Sequence, residues 1–271
     1  VRGVARMSMT LGQFIPGNSV VHRLDPRTKL IGMIAYIVLV FLVQSIPVFL
    51  VPCLFVVLAL LLSGVPLSYV GSSLKPMKWL LVFMFVINLF FTQGQRVIFE
   101  WWIVRLTVEG VRQAVFISMR LILLVAGTSM LTLTTSPIAL TDGLERLMKP
   151  LAAIRFPAHE MAMMMTIALR FIPLLLEETD RIRKAQLARG ADFESGNLIK
   201  RAKAMLPVLV PLFISAFRRA DELAMAMESR CYHGGEGRTR MRELRFSRLD
   251  VYAGLVLFAF VAAVPVIQIW L

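Results

Sequence analysis

The chain has 271 residues, 58% of them hydrophobic, with a mean hydropathy of +0.73 and a formal net charge of +13. A soluble domain is nearer half apolar, and here the excess falls in blocks that hold almost none of the charge, so a soluble enzyme or a basic nucleic-acid-binding domain is set aside for a membrane protein with basic connections. The two cysteines, Cys53 in an apolar block and Cys231 in a basic loop, lie at different depths with no Cys/His ligand spacing beside them, so neither a disulfide nor a structural metal is expected.

A transmembrane helix needs about 20 mostly apolar residues. Residues 1–28 are basic and read as a cytoplasmic N-terminal segment. The first apolar run begins near Leu30, too late and too long for a cleaved signal, so it reads as a span. Residues 29–135 then carry four transmembrane blocks, at 29–46, 47–63, 78–92 and 113–134, the first two joined by a tight turn at Ser45-Ile46-Pro47. A last span covers 249–271. Lys75 and Lys78 lie in one connection without an acid, whereas Arg96 and Arg105 in the 93–110 connection are balanced by Glu100 and Glu109 and joined by Trp101 and Trp102. By the positive-inside rule the N-terminus is cytoplasmic and the 93–110 loop is outside.

Residues 136–248 lie between the fourth and last spans. From Pro137 onward they hold 19 of the 30 Lys and Arg and 13 of the 17 Asp and Glu, so they are not ordinary spans. Ser136-Pro137 starts a short amphipathic helix that Lys149-Pro150 ends. A long helix follows from Pro157 to Gly190, apolar in its first half, charged in its second and bent at Pro173. After the ADFESGN turn a second long helix carries only 13 apolar residues at its centre, Met205 to Phe217, and is bent by Pro207 and Pro211. Ala216, Ala220 and Ala224 recur every four residues and offer a face for close helix crossing. The expected fold is an all-α integral membrane protein with about five transmembrane helices plus long crossing cytoplasmic helices.

The two long helices end alike. DRIRKAQLARG (180–190) aligns with DELAMAMESRC (221–231), matching Asp180 to Asp221, Ala185 to Ala226 and Arg189 to Arg230. A basic residue in the last turn and glycine after it are ordinary helix-stop chemistry. That accounts for either end alone, but not for both ends closing long, bent, half-apolar helices in one cytoplasmic excursion. Two equivalent arginine tips suggest two equivalent receiving sites.

These stretches resemble a family. FIPGNSVVHRLDPRTKL, TTSPIALTDGLERLMKPL, IALRFIPLLLEETDRIRKAQLARGADF and AMESRCYHGGEGRTR are similar to the transmembrane T components of energy-coupling factor transporters, the vitamin-importing branch of the ABC superfamily. The resemblance covers nearly the whole chain, and the last stretch is closer to the shared T components that serve several substrate subunits. It implies that 136–248 is a set of coupling helices. It also implies that Ala188, Arg189 and Gly190, and Ser229, Arg230 and Cys231, dock into two homologous cytoplasmic ATPase subunits. Met161, Met164, Met165, Phe171, Met205 and Phe213 would contact a membrane S component that binds the vitamin, methionine being flexible enough for several partners. ATP and Mg would be held by the partner subunits, with no cofactor on this chain, no nucleic acid among its partners, and the lipid bilayer around it. The location implied is a prokaryotic cell membrane.

One departure stands out. Cys231 replaces the family's usual glycine, where a left-handed residue costs about 1–2 kcal/mol more. Either the helix ends elsewhere, at Gly234-Gly235, or that cost is accepted. Rival chemistry is thin: His159-Glu160 lacks the second histidine of a zinc protease, and there is no phosphate-binding loop or nucleophile elbow. Arg120, inside the fourth block, either marks an ion or substrate path or is a snorkelling or helix-facing arginine. The remaining alternatives are a self-contained transporter or channel and an intramembrane enzyme.

Overall fold

A computed structural model describes residues 14–92, 94, 97–101, 104–150, 157–193, 195, 197–234 and 246–270. The chain forms two compact units, Val1–Leu147 with Leu244–Leu271, and Met148–Glu243 inserted between them in sequence.

The first unit contains α1 (Val20–Arg23), α2 (Pro26–Leu42), α3 (Leu50–Ser63), α4 (Leu67–Leu74), α5 (Lys78–Phe91), α6 (Val108–Thr134), nearly all of α7 (Pro137–Met148), and α10 (Arg248–Trp270). Single 3-10 turns at Ile46–Phe49 and Lys75–Met77 lead into α3 and α5. Its core gathers Tyr36, Leu39 and Val40 of α2 and Val43 just after it with Leu133 of α6 and Val264 of α10. Helix α2 packs chiefly against α6 and α10, and only lightly against α3, although a tight turn joins the first two blocks. The Tyr36 hydroxyl donates to the Leu123 carbonyl at 2.8 Å, and Gly127 lies against the Tyr36 ring with no room for a Cβ.

The described residues are not wholly helical. Within the expected outside loop, β1 (Val97–Trp101) pairs antiparallel with β2 (Val104–Thr107). Val97, Ile98, Phe99 and Trp101, with Val104 and Thr107, are β-branched or aromatic residues that favour a strand. Trp102 lies outside the described residues.

Five helical stretches among the described residues are long and apolar enough to cross a membrane: Ile46–Ser63, Leu67–Phe91, Val108–Thr134, His159–Ala188 and Arg248–Trp270. Four match expected blocks. The first expected block gives α2, whose 17 residues sit at the short end of a span, because the turn at Ser45-Ile46-Pro47 cuts it off. His159–Ala188 qualifies through its apolar first half, while its second half is charged.

The basic stretch near the start ties this unit together. Asp25 is the N-cap of α2, accepting from the Arg27 amide at 2.9 Å, with Pro26 at the first helical position. Lys29 Nζ donates to the carbonyls of His22 and Thr134 and to Thr135 Oγ1. The Ile15 amide donates to the Leu133 carbonyl at 2.9 Å. From α10, Asp250 accepts the Asp25 amide on one oxygen at 2.8 Å and the Ser247 amide on the other at 2.7 Å. Arg120 turns to its neighbours: its Nη2 donates to the Val43 carbonyl just past the end of α2, and its guanidinium lies over the Phe41 and Phe116 rings.

The second unit contains α8 (Ala158–Ala188) and α9 (Leu198–Glu228), each of 31 residues. Their contacts run in opposite order along the two helices, Gln186 to Pro207 and Glu178 to Ser215, so the pair is antiparallel. Pro173, Pro207 and Pro211 lie inside these helices without ending them.

Candidate functional site

Each long helix closes in the same way. In α8 the Gly190 amide donates to the Leu187 carbonyl and the Ala191 amide to the Gln186 carbonyl, both at 3.0 Å. In α9 the Cys231 amide donates to Glu228 at 2.9 Å and the Tyr232 amide to Met227 at 3.0 Å. This is the Schellman arrangement, with a left-handed residue after the cap and the last carbonyls satisfied from beyond the helix. Gly190 has φ 87° and Cys231 has φ 55°, the latter being the one non-glycine residue with positive φ among those described. The helix therefore ends at the predicted place and the cost of a side chain there is accepted. Gly234 also has positive φ but plays no part in this stop, and Gly235 lies outside the described residues.

Every one of these bonds repeats at an offset of 41 residues. Arg189 and Arg230 are thus equivalent, each at the cap position, where a cation complements the carbonyl end of the helix. Ala188, Ser229 and both arginines are exposed, and neither guanidinium has a hydrogen bond or ion pair among the described residues. A planar fork of unsatisfied donors at a rigid helix end is suited to an acidic or carbonyl-lined groove. The tips are not identical. Beside Arg189 a recess of about 290 Å³ is lined by Arg183, Leu187, Ala191, Asp192 and Phe193. Sequence reasoning passed over Phe193, whose signal was only an aromatic residue in an otherwise polar turn.

The apolar parts of α8 and α9 are open. Met161, Met164 and Met165 are exposed at i, i+3 and i+4 on one face of α8, and Met205 and Phe213 are exposed on α9. Phe171 is half-buried, so of the expected contact residues it is the least presented. Phe217, at 70% exposure, and Ile214 extend the α9 surface and were not singled out from sequence. So many apolar side chains outside any core mark a surface that lipid or protein covers.

The side-chain ties seen between the helices are polar, and the expected alanine stripe is largely open. Ala220 and Ala224 are exposed. The buried Ser215 donates to Glu178 Oε1 at 2.7 Å and Arg219 Nη2 donates to Glu178 Oε2 at 2.6 Å. Ser215 and Arg219 lie one position, about 100°, round the helix from Ala216 and Ala220. Helix α9 is turned to satisfy the carboxylate rather than to bring small residues together.

The family of cobalt transport proteins (CbiQ) matches residues 17–241. The chain is 57% identical over 245 residues to the energy-coupling factor transporter transmembrane protein EcfT of Thermosediminibacter oceani, covering 90% of this chain and 92% of that protein. It is 52% identical to the protein of that name from Clostridium kluyveri, covering 97% of each, and 47% identical to that of Bacillus subtilis, covering 93% and 96%.

Proposed function

The chain belongs to the CbiQ family as a transmembrane component of an energy-coupling factor transporter, a non-catalytic subunit, and from this we propose that its two arginine tips dock that transporter's two ATPase subunits. ATP and Mg are held on those subunits. The apolar faces of α8 and α9, with Met161, Met164, Met165, Met205 and Phe213 foremost, receive a membrane subunit that binds a vitamin or other micronutrient. Hydrolysis displaces the tips, and the long helices carry the displacement to the substrate subunit, which releases its cargo inward. The N-terminus and residues 136–248 are cytoplasmic in this reading, in accord with their basic charge.

One observation carries the docking assignment. Two exposed arginines without partners among the described residues cap two helices closed by the same pair of Schellman hydrogen bonds. A repeated tip of this kind fits two related sockets. The test is co-purification of the tagged transporter from membranes. Arg189→Glu and Arg230→Glu should each lower the bound ATPase at least about tenfold, because a charge reversal leaves the socket's acceptors facing a carboxylate. If the double variant retains both ATPase chains and still couples hydrolysis to uptake, the docking assignment is wrong.

A further inference from the structure

The offset that relates the two tips also relates the residues that join the helices. Arg189 and Arg230 differ by 41 positions, as do Gly190 and Cys231. Glu178 and Arg219 differ by 41 positions as well, and they touch, with Arg219 Nη2 at 2.6 Å from Glu178 Oε2. In a pair of helices related by a two-fold axis, only positions at the axis meet their own equivalents. The Glu178–Arg219 contact therefore lies where a pseudo-two-fold axis relating the two tips would pass through the antiparallel pair. A true homodimer would place like charges there. One chain carrying the helix twice can place a carboxylate on one copy and a guanidinium on the other.

From that point each tip lies eleven residues onward in its own helix, from 178 to 189 and from 219 to 230. At the helical rise this is about 16 Å per arm and about 33 Å between the tips, since the arms run in opposite directions. The arms are equal and the tie sits at their midpoint. Nearby backbone is weakened, because Pro173, Pro207 and Pro211 each remove an intrahelical donor. Side-chain ties between α8 and α9 include Ser215 and Arg219 on Glu178, and Gln186 on the Pro207 carbonyl at 3.4 Å.

We propose that Glu178 and Arg219, with Ser215 beside them, form the pivot that fixes the spacing of the two docking arginines, so that both ATPase displacements reach the substrate subunit as one motion. They are positioning residues. They act through Arg189 and Arg230, and the coupling half of the proposal rests on the docking reading above.

The spacing half is tested without it. Spin-labelled p-acetylphenylalanine at the equivalent positions Leu187 and Glu228 leaves Cys53 and Cys231 in place and reports the tip-to-tip distance in the full chain. Glu178→Gln and Arg219→Ala should broaden and shift that distance. In the reconstituted complex they should retain the ATPase subunits while substrate imported per ATP falls at least about fivefold, the lower end of what a coupling free energy between two sites supplies. The exchange Glu178→Arg with Arg219→Glu swaps equivalents across the axis, and should restore both distance and ratio. An unchanged distance in the single variants overturns the pivot. So does a lost ratio that the exchange fails to restore, since mere destabilisation would produce it. If the distance responds and is restored while the ATPase remains bound to Arg189→Glu with Arg230→Glu, the pivot stands and the docking reading fails.

Discussion

At Cys231 a side chain occupies a conformation that at Gly190 is left to glycine. Left-handed backbone disfavours a Cβ by about 1–2 kcal/mol, partly offset by glycine's greater freedom when unfolded. Cys231→Gly should therefore tighten its helix end by up to about 1 kcal/mol, and Gly190→Ala should loosen the other by about 1 kcal/mol. Hydrogen exchange at the amides of Tyr232 and Ala191 reads the two directly, because those amides close the Schellman bonds. Opposite changes in protection are expected. Equal and small changes would mean the left-handed positions are not under strain. Gly127 makes the complementary point inside the first unit. A methyl there meets the Tyr36 ring, so Gly127→Ala should cost about 1–3 kcal/mol, measured as lost thermal stability in detergent, with Gly254→Ala, which faces open space, as the control. The arginine pair was legible in the sequence because a repeat shows itself by alignment. The role of Asp250 was not, because the Asp25 amide it accepts lies 225 positions away and an acid at the start of a span looks like a helix-end charge.

At the level of elements, hydrophobic blocks announced the membrane helices and charge segregation announced α8 and α9. What they did not announce was which face of α9 meets α8. The alanine spacing satisfied a packing rule, yet the contact follows the carboxylate of Glu178, and a sequence does not say which acid will be enclosed by donors. The strand pair at 97–107 was missed for another reason: between long apolar blocks, a short run with charges reads as a loop. The prolines explain a further contact. Pro211 has no N–H for the Pro207 carbonyl, which would be its partner in an unbroken helix, and Gln186 Nε2 donates to that carbonyl instead. In Pro211→Ala the backbone amide returns and Gln186 becomes redundant. Gln186→Ala should then cost about 0.5 kcal/mol in the native background and nothing in Pro211→Ala. A double-mutant cycle on the thermal unfolding of the full chain measures the difference, and equal costs in both backgrounds would remove the explanation.

For the whole molecule the question is what keeps the first unit intact when a unit of nearly a hundred residues interrupts its sequence between α7 and α10. Apolar packing of α10 on α2 supplies part of the answer, but such packing alone fixes the depth of a membrane helix poorly, since lipid is as apolar as a neighbouring side chain. Asp250 supplies a directed contact. One oxygen accepts the amide and hydroxyl of Ser247, the residue before α10, which is the carboxylate half of a capping box. The other accepts the amide of Asp25, which itself caps α2. A single carboxylate therefore starts the last helix and anchors it to the start of the second, across the full sequence separation created by the insertion. The two oxygens can be distinguished experimentally. Asp250→Asn keeps one acceptor oxygen, so one of the two sets of bonds survives and the loss should be about 1 kcal/mol. Asp250→Ala removes both and should lose about 2–3 kcal/mol. Thermal unfolding of the full chain in detergent gives the ranking, and cysteine accessibility at a residue introduced at Tyr252, already exposed, reports whether α10 shifts along its axis. If Asn and Ala cost the same, only one of the two caps matters, and the carboxylate does not tie the ends of the first unit together.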